Sequence, residues 1–142
     1  LRAAVDHLLG DLDSDARLAL FVDDVHALDD TSATLLLHLA MSGRADLVMT
    51  PDSGPMHIAN AMGTRVLGLH AASNPLRSGP YSDVRYCVDR YDAAARKFLG
   101  KPASELRWGT KIEFDDVMQL ISVDDAVAAF ERYVQDTSQP AL

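Results

Sequence analysis

The segment TPDSGPMHIANAMGT, residues 50–64, sets Asp52, Ser53, Gly54, Pro55 and His57 within six positions, directly before small and apolar residues at helical spacing. Pro is favoured in the first turn of a helix, where its missing N–H removes a group that would lack a partner anyway. Gly54 would let a ligand approach the backbone closely, and Ser53 is able to cap. The amides of Gly54, Met56 and His57 would then point outward, with the positive end of the helix dipole behind them. Such a helix start is an anion site suited to phosphate. The plain structural alternative is that Asp52 or Ser53 caps the helix, Gly54 makes the turn, and His57 is an exposed or capping histidine.

A second loop, SNPLRSGPY at 73–81, carries Arg77, whose guanidinium can fork onto an anion. Two prolines and Gly79 stiffen that loop. A solvated loop arginine is its ordinary role.

These residues need elements that bring the two loops to one place. DLVMT (46–50) reads as a strand, PMHIANAM (55–62) as a helix, RVLGLH (65–70) as a strand and AASNPLRSGPYSD (71–83) as a loop. Upstream, AAVDHLLGDL has helical spacing and LALFVDD is a buried-strand run. Thr31 or Ser32 is placed to cap a helix through ATLLLHLAMSG. Strands alternating with helices over short links predict an α/β parallel sheet with right-handed crossovers. If the strands before the two loops are parallel, both loops open at the carboxyl edge, where ligands bind in such sheets. Further on, VRYCVD suggests a strand and RYDAAARKFLG a helix stopped by Gly100 and Pro102. SVDDAVAAFERYVQD is an amphipathic helix with a Ser122–Asp125 capping box and Val127, Phe130 and Val134 along one face.

Composition narrows the class. The 142 residues fit one domain; 48% are hydrophobic and 24% charged, as in a soluble globular chain. The formal charge is −8, of which residues 1–42 carry −6. An acidic chain without a basic stripe argues against nucleic acid as partner, since phosphate neutralisation supplies most of that affinity. No apolar run is long enough for a transmembrane segment, no signal core opens the chain, and the expected localisation is cytoplasmic. Cys87 is the single cysteine, so it has no internal disulfide partner and reads as buried and inert. No cluster at ligand spacing points to a metal, and no cofactor is expected. Trp108 and Lys111, in RWGTKIE, read as a half-buried packing tryptophan and a surface lysine, or as groups covering a nucleotide and reaching a phosphate.

In combination, D-S-G-P-x-H, A-x-A-x-G-T and N-P-x-R-S-G-P-Y resemble the C-terminal part of family 9 glycosyltransferases, the ADP-heptose:lipopolysaccharide heptosyltransferases, over about residues 44–134. The resemblance implies a Rossmann-like parallel sheet with flanking helices, the C-terminal half of a GT-B architecture. It implies that Ser53, Gly54 and the backbone near Pro55 hold the diphosphate of ADP-heptose or a related nucleotide sugar, that His57 contacts phosphate or sugar, and that Asp52 positions the loop. Inverting transfer without a metal follows from it. So does a lipopolysaccharide core acceptor, bound through an N-terminal domain that this chain lacks and that supplies the base in the family. A peripheral place at the inner membrane fits that acceptor. No residue here is assigned as a general base.

Residues 18–40, LALFVDDVHALDDTSATLLLHLA, resemble instead the Walker B strand and following helix of signal-transduction ATPases, with Asp23 and Asp24 at the strand end. No G-x-x-x-x-G-K-[ST] phosphate loop accompanies them. The expected organisation is therefore a divergent or foreign β-α segment at 1–43 and an incomplete nucleotide-sugar-binding domain at 44–142, with a regulatory ATPase fragment as the alternative.

Overall fold

The computed structural model describes residues 45–138, together with Asp30, Thr31, Thr34, His38 and Leu39. The helix expected over residues 3–12, the strand expected at 18–24 with Asp23 and Asp24, and most of segment 1–43 lie outside the described residues. Asp30 and Thr31 are already helical, and the Thr34 hydroxyl donates to the Asp30 carbonyl at 2.6 Å, so Thr31 sits inside a helical turn instead of capping one.

Among the described residues, three parallel strands form a sheet, in the order β1 (Leu47–Pro51), β2 (Arg65–His70), β3 (Val88–Asp89). Leu47 pairs with Arg65 and Pro51 with Leu69. Parallel neighbours need a crossover, and α1 (Gly54–Ala61) supplies it between β1 and β2. Side chains alternate between faces along a strand. Val48 and Val66 therefore share one face, where Met56 and Ala59 of α1 pack, while Leu47, Leu67 and Leu69 share the other. Burial on both sides explains the apolar run Val66–Leu69 at the centre of RVLGLH.

On the second face, Ala129 of α4 (Val123–Ser138) packs against Leu67 and Val88. A further cluster joins α3 (Tyr91–Leu99), through Tyr91, Ala94 and Ala95, to Ala71, Ile112 and Val117. Gly100, at φ 70°, ends α3 as the reading from Gly100 and Pro102 expects. The capping box also forms: Asp125 N–H donates to Ser122 Oγ at 3.1 Å, and Ser122 N–H to Asp125 Oδ2 at 3.0 Å.

Three expectations change. The proposed 71–83 loop contains a helical turn, α2 (Pro75–Ser78), because the Asn74 side chain accepts from Leu76 N–H at 2.9 Å and Pro75 presets the first turn. VRYCVD is a strand only at its end. The Asp83 carboxylate takes the Val66 N–H at 3.0 Å, where a strand carbonyl would sit, and Val84–Tyr86 coils into a 3-10 turn that buries Tyr86. On α4, the stripe of Val127, Phe130 and Val134 faces outward, because the sheet offers room only for the small Ala129 at closest approach.

Candidate functional site

The sheet's parallel register puts the ends of β1 and β2 side by side, so the two loops singled out by their chemistry meet. β1 ends at Pro51, and α1 opens at Gly54 with Pro55 in its first turn. Ser53 holds the N-cap position, yet its hydroxyl makes no cap bond; it lies 3.1 Å from Thr50 Oγ1. Asp52 does not cap either. Its Oδ2 accepts the Ser78 hydroxyl at 2.6 Å, which ties the bend after β1 to α2. Its Oδ1 faces His57 Nε2 at 3.4 Å across the first turn of α1. Both caps that the structural alternative required are thus engaged elsewhere, and no acceptor among the described residues takes the amides of Gly54 or Met56. His57 N–H reaches back to the Ser53 carbonyl at 3.4 Å, so of the three amides read as outward-pointing it is the one with a backbone partner.

Gly54 does not make the turn by conformational freedom, since its φ is not positive. A Cβ there would meet no atom of the described residues within 4 Å. Among the described residues nothing covers the first turn.

Beneath the bend lies a polar layer. Burial alone would raise the Asp52 pKa, but the hydroxyls of Ser78 and Ser73, with the imidazoles of His70 and His57 nearby, outweigh it and hold the carboxyl below its usual value. His70, the last residue of β2, is fully buried, with Nδ1 at 3.2 Å from Ser73 Oγ. Burial pushes its pKa below the ordinary histidine value, over the opposing pull of Asp52 and Asp89.

Arg77 sits on α2, exposed, at the same carboxyl edge. Its guanidinium lies over Gly109, whose φ of 87° and missing Cβ leave room: an added Cβ would stand 3.1 Å from Arg77 Nε. The strip holding Gly109 is fastened by Tyr91, whose hydroxyl donates to the Thr110 carbonyl at 2.7 Å, and by Ile112 N–H to the Ala72 carbonyl at 2.8 Å. Trp108 is 68% exposed, not half-buried, and Lys111 is exposed.

Asp52, Ser53, Gly54, Pro55 and His57 are therefore one continuous surface, and Arg77 belongs to the adjoining loop through the Asp52–Ser78 bond. Thr50, His70, Ser73 and Ser78 went unread in the sequence. The available signal was His70 itself, a polar residue closing an apolar strand at the edge where the loops open. Among the described residues no three His, Cys, Asp or Glu side chains converge as a metal site would require.

Residues 33–108, more than half of the chain, match the family described as Glycosyltransferase family 9 (heptosyltransferase). The chain belongs to that family. It is 43% identical over 93 residues to the lipopolysaccharide core heptosyltransferase OpsX of Haemophilus influenzae, an alignment covering 66% of this chain and 27% of OpsX. This family 9 chain thus spans about a quarter of the length of the curated relative it matches. No solved structure matches it. The matched region holds β1, α1, β2, α2 and both loops of the candidate site. It begins at residue 33, inside the segment that resembles a Walker B region. No described helix is long and apolar enough to cross a membrane.

Proposed function

We propose that this chain is the donor-binding part of a heptosyltransferase that takes ADP-heptose or a related nucleotide sugar and serves lipopolysaccharide core assembly. The observation that carries the reading is the start of α1, where among the described residues the amides of Gly54 and Met56 have no acceptor and no group lies within 4 Å of the space over Gly54, beside an exposed histidine. The diphosphate takes the amides of Gly54 and Met56, and Ser53 offers its hydroxyl. His57, held by Asp52, contacts phosphate or sugar. Arg77 adds charge from the neighbouring loop.

Transfer is inverting in this proposal. The acceptor hydroxyl attacks the anomeric carbon as the bond to the diphosphate oxygen breaks, and that oxygen keeps the electron pair. The hydroxyl proton passes to a base from the acceptor-binding domain, which is not part of residues 44–142. Preorganised amides and the helix dipole stabilise the charge gathering on the departing diphosphate, and no metal is needed for that step. The domain holding the site is residues 44–142, with 1–43 as a divergent segment, and the protein works in the cytoplasm or peripherally at the inner membrane.

Calorimetry with ADP tests the reading. ADP binds the full chain, Gly54→Val abolishes the binding by filling the open space, and the chain alone transfers no sugar. Absence of ADP binding by the unmodified chain would refute the donor site.

A further inference from the structure

The residue against which Arg77 rests lies in neither of the two loops of the candidate site. The Arg77 backbone is set by α2: its N–H donates to the Asn74 carbonyl at 3.0 Å, Asn74 Oδ1 takes the Leu76 N–H at 2.9 Å, and the adjacent Ser78 hydroxyl is bound to Asp52 at 2.6 Å. The side chain lies against Gly109. A Cβ added at Gly109 would stand 3.1 Å from Arg77 Nε, 3.4 Å from Cζ and 3.6 Å from Cδ, so the bare Cα is the surface that receives the end of the arginine.

Gly109 is itself held in place. Its φ of 87° is a conformation that suits glycine and strains most other residues. Around it the chain turns tightly, with Thr110 N–H donating to the Arg107 carbonyl at 3.0 Å and the Thr110 hydroxyl to the same carbonyl at 2.7 Å. The Tyr91 hydroxyl then holds the Thr110 carbonyl at 2.7 Å, and Ile112 N–H holds the Ala72 carbonyl at 2.8 Å; Tyr91 and Ile112 are both core residues. Ala72 follows β2, so the strip is moored at the carboxyl edge of the sheet, where the bend after β1 also opens.

The head of Arg77, by contrast, is uncommitted. Arg65, Arg90 and Arg96 each set theirs on a carboxylate, of Asp83, Asp125 and Asp92. Arg77 makes no ion pair and no side-chain hydrogen bond among the described residues, in a chain with 21 acids. A guanidinium forks onto phosphate oxygens, and the diphosphate is the anionic part of a nucleotide sugar. An arginine ordered only on ligand arrival loses rotamer freedom and binds more weakly for it; an arginine already seated does not.

We propose that Gly109 is a positioning residue of the donor site: its missing side chain seats the end of Arg77 against the moored strip and so holds a free guanidinium ready for the diphosphate. The binding role rests on the donor reading above, whereas the seat does not. Gly109 itself does not touch the ligand.

The heteronuclear NOE of the Arg77 Nε–H in the full chain reads the seat without any ligand. It is expected near the backbone amide values in the unmodified chain, and to fall to that of a free side chain in Gly109→Ala and Gly109→Asn. Both substitutions add the same Cβ, but Asn tolerates positive φ better, so Gly109→Asn decides should Gly109→Ala not fold. In calorimetry with ADP, Arg77→Ala weakens binding about thirtyfold, the effect of a lost charge-assisted contact, and each Gly109 variant about fivefold. In the Arg77→Ala background the Gly109 substitutions weaken binding less than about twofold, a coupling that a general loss of stability would not produce. A freely moving Arg77 Nε–H in the unmodified chain, or one unchanged in Gly109→Asn, overturns the seat and the proposal with it. ADP affinity unchanged in Arg77→Ala or Gly109→Asn, or an equal loss from Gly109→Asn with and without Arg77, overturns the positioning role while the donor reading stands. ADP failing to bind the unmodified chain defeats the donor reading and the positioning role together, and the NOE still decides whether the glycine seats the arginine. Should neither Gly109 variant fold, the NOE of the unmodified chain and Arg77→Ala decide.

Discussion

Asp52 is the residue on which the two loops converge, and its ionisation sets a pH limit. Its folded pKa lies below the ordinary carboxylate value, so the stability it adds is fully present above that ordinary value and is lost as pH falls through the lower, folded one. His70 acts earlier in an acid titration. Its folded pKa lies below 6.5, so the unfolded chain binds the proton first and stability falls as pH drops from 6.5 toward the folded value. One such group gives a slope of at most about 1.4 kcal/mol per pH unit. Urea unfolding at about pH 7 and 5 should show this loss, and His70→Asn should remove most of it. Gly68→Ala belongs here too. The added methyl would meet both His70 and Cys87 closer than packed carbons tolerate, and overpacking of this kind costs about 1–3 kcal/mol, read as a lower urea midpoint. At this scale Asp52, Ser53, Gly54 and His57 were legible because they adjoin one another in the chain. Ser78 and Ser73 were not, because a serine 26 positions from Asp52 becomes its partner only through the parallel pairing of β1 and β2.

The elements show where periodicity informs and where it misleads. The Ser122–Asp125 box and the Gly100 stop were readable because capping depends on residues a few positions apart. The packed face of α4 was not, since hydrophobicity marked Val127, Phe130 and Val134 while the sheet selected Ala129 by size. Substitutions should separate the two faces. Ala129→Leu should destabilise the chain by about 1–3 kcal/mol, whereas Phe130→Ser should stay within roughly 0.5 kcal/mol, both by thermal or urea unfolding. Ser122→Ala removes the hydroxyl that holds the Asp125 amide and should cost about 1 kcal/mol. β3 was overread for a related reason: alternation in VRYCVD signals burial of Tyr86 and Val88, and Asp83 supplied the edge hydrogen bond that a longer strand would have made.

Across the whole molecule, family membership and site geometry rest on the same stretch, residues 33–108, which is why the motif combination was informative in the sequence. The α/β class followed from alternating periodicities, and the order β1–β2–β3 agrees with it. The net charge of −8 sits on a molecule proposed to bind a diphosphate, so capture has to be local. Raising salt should therefore weaken ADP binding only modestly in calorimetry, because backbone amides, which salt does not displace as it does a loose ion atmosphere, carry the contact. Asp83 has a different kind of consequence. β2 is the middle strand, yet β3 pairs only with its last two residues. The Asp83 carboxylate takes the Val66 N–H that β3 does not reach, while the Arg65 guanidinium clamps the same side chain at 2.9 Å. A side chain thus stands in for the missing rung, and Asp83→Ala should leave a buried central-strand amide without an acceptor, at a cost of about 1–3 kcal/mol read as a lower urea midpoint.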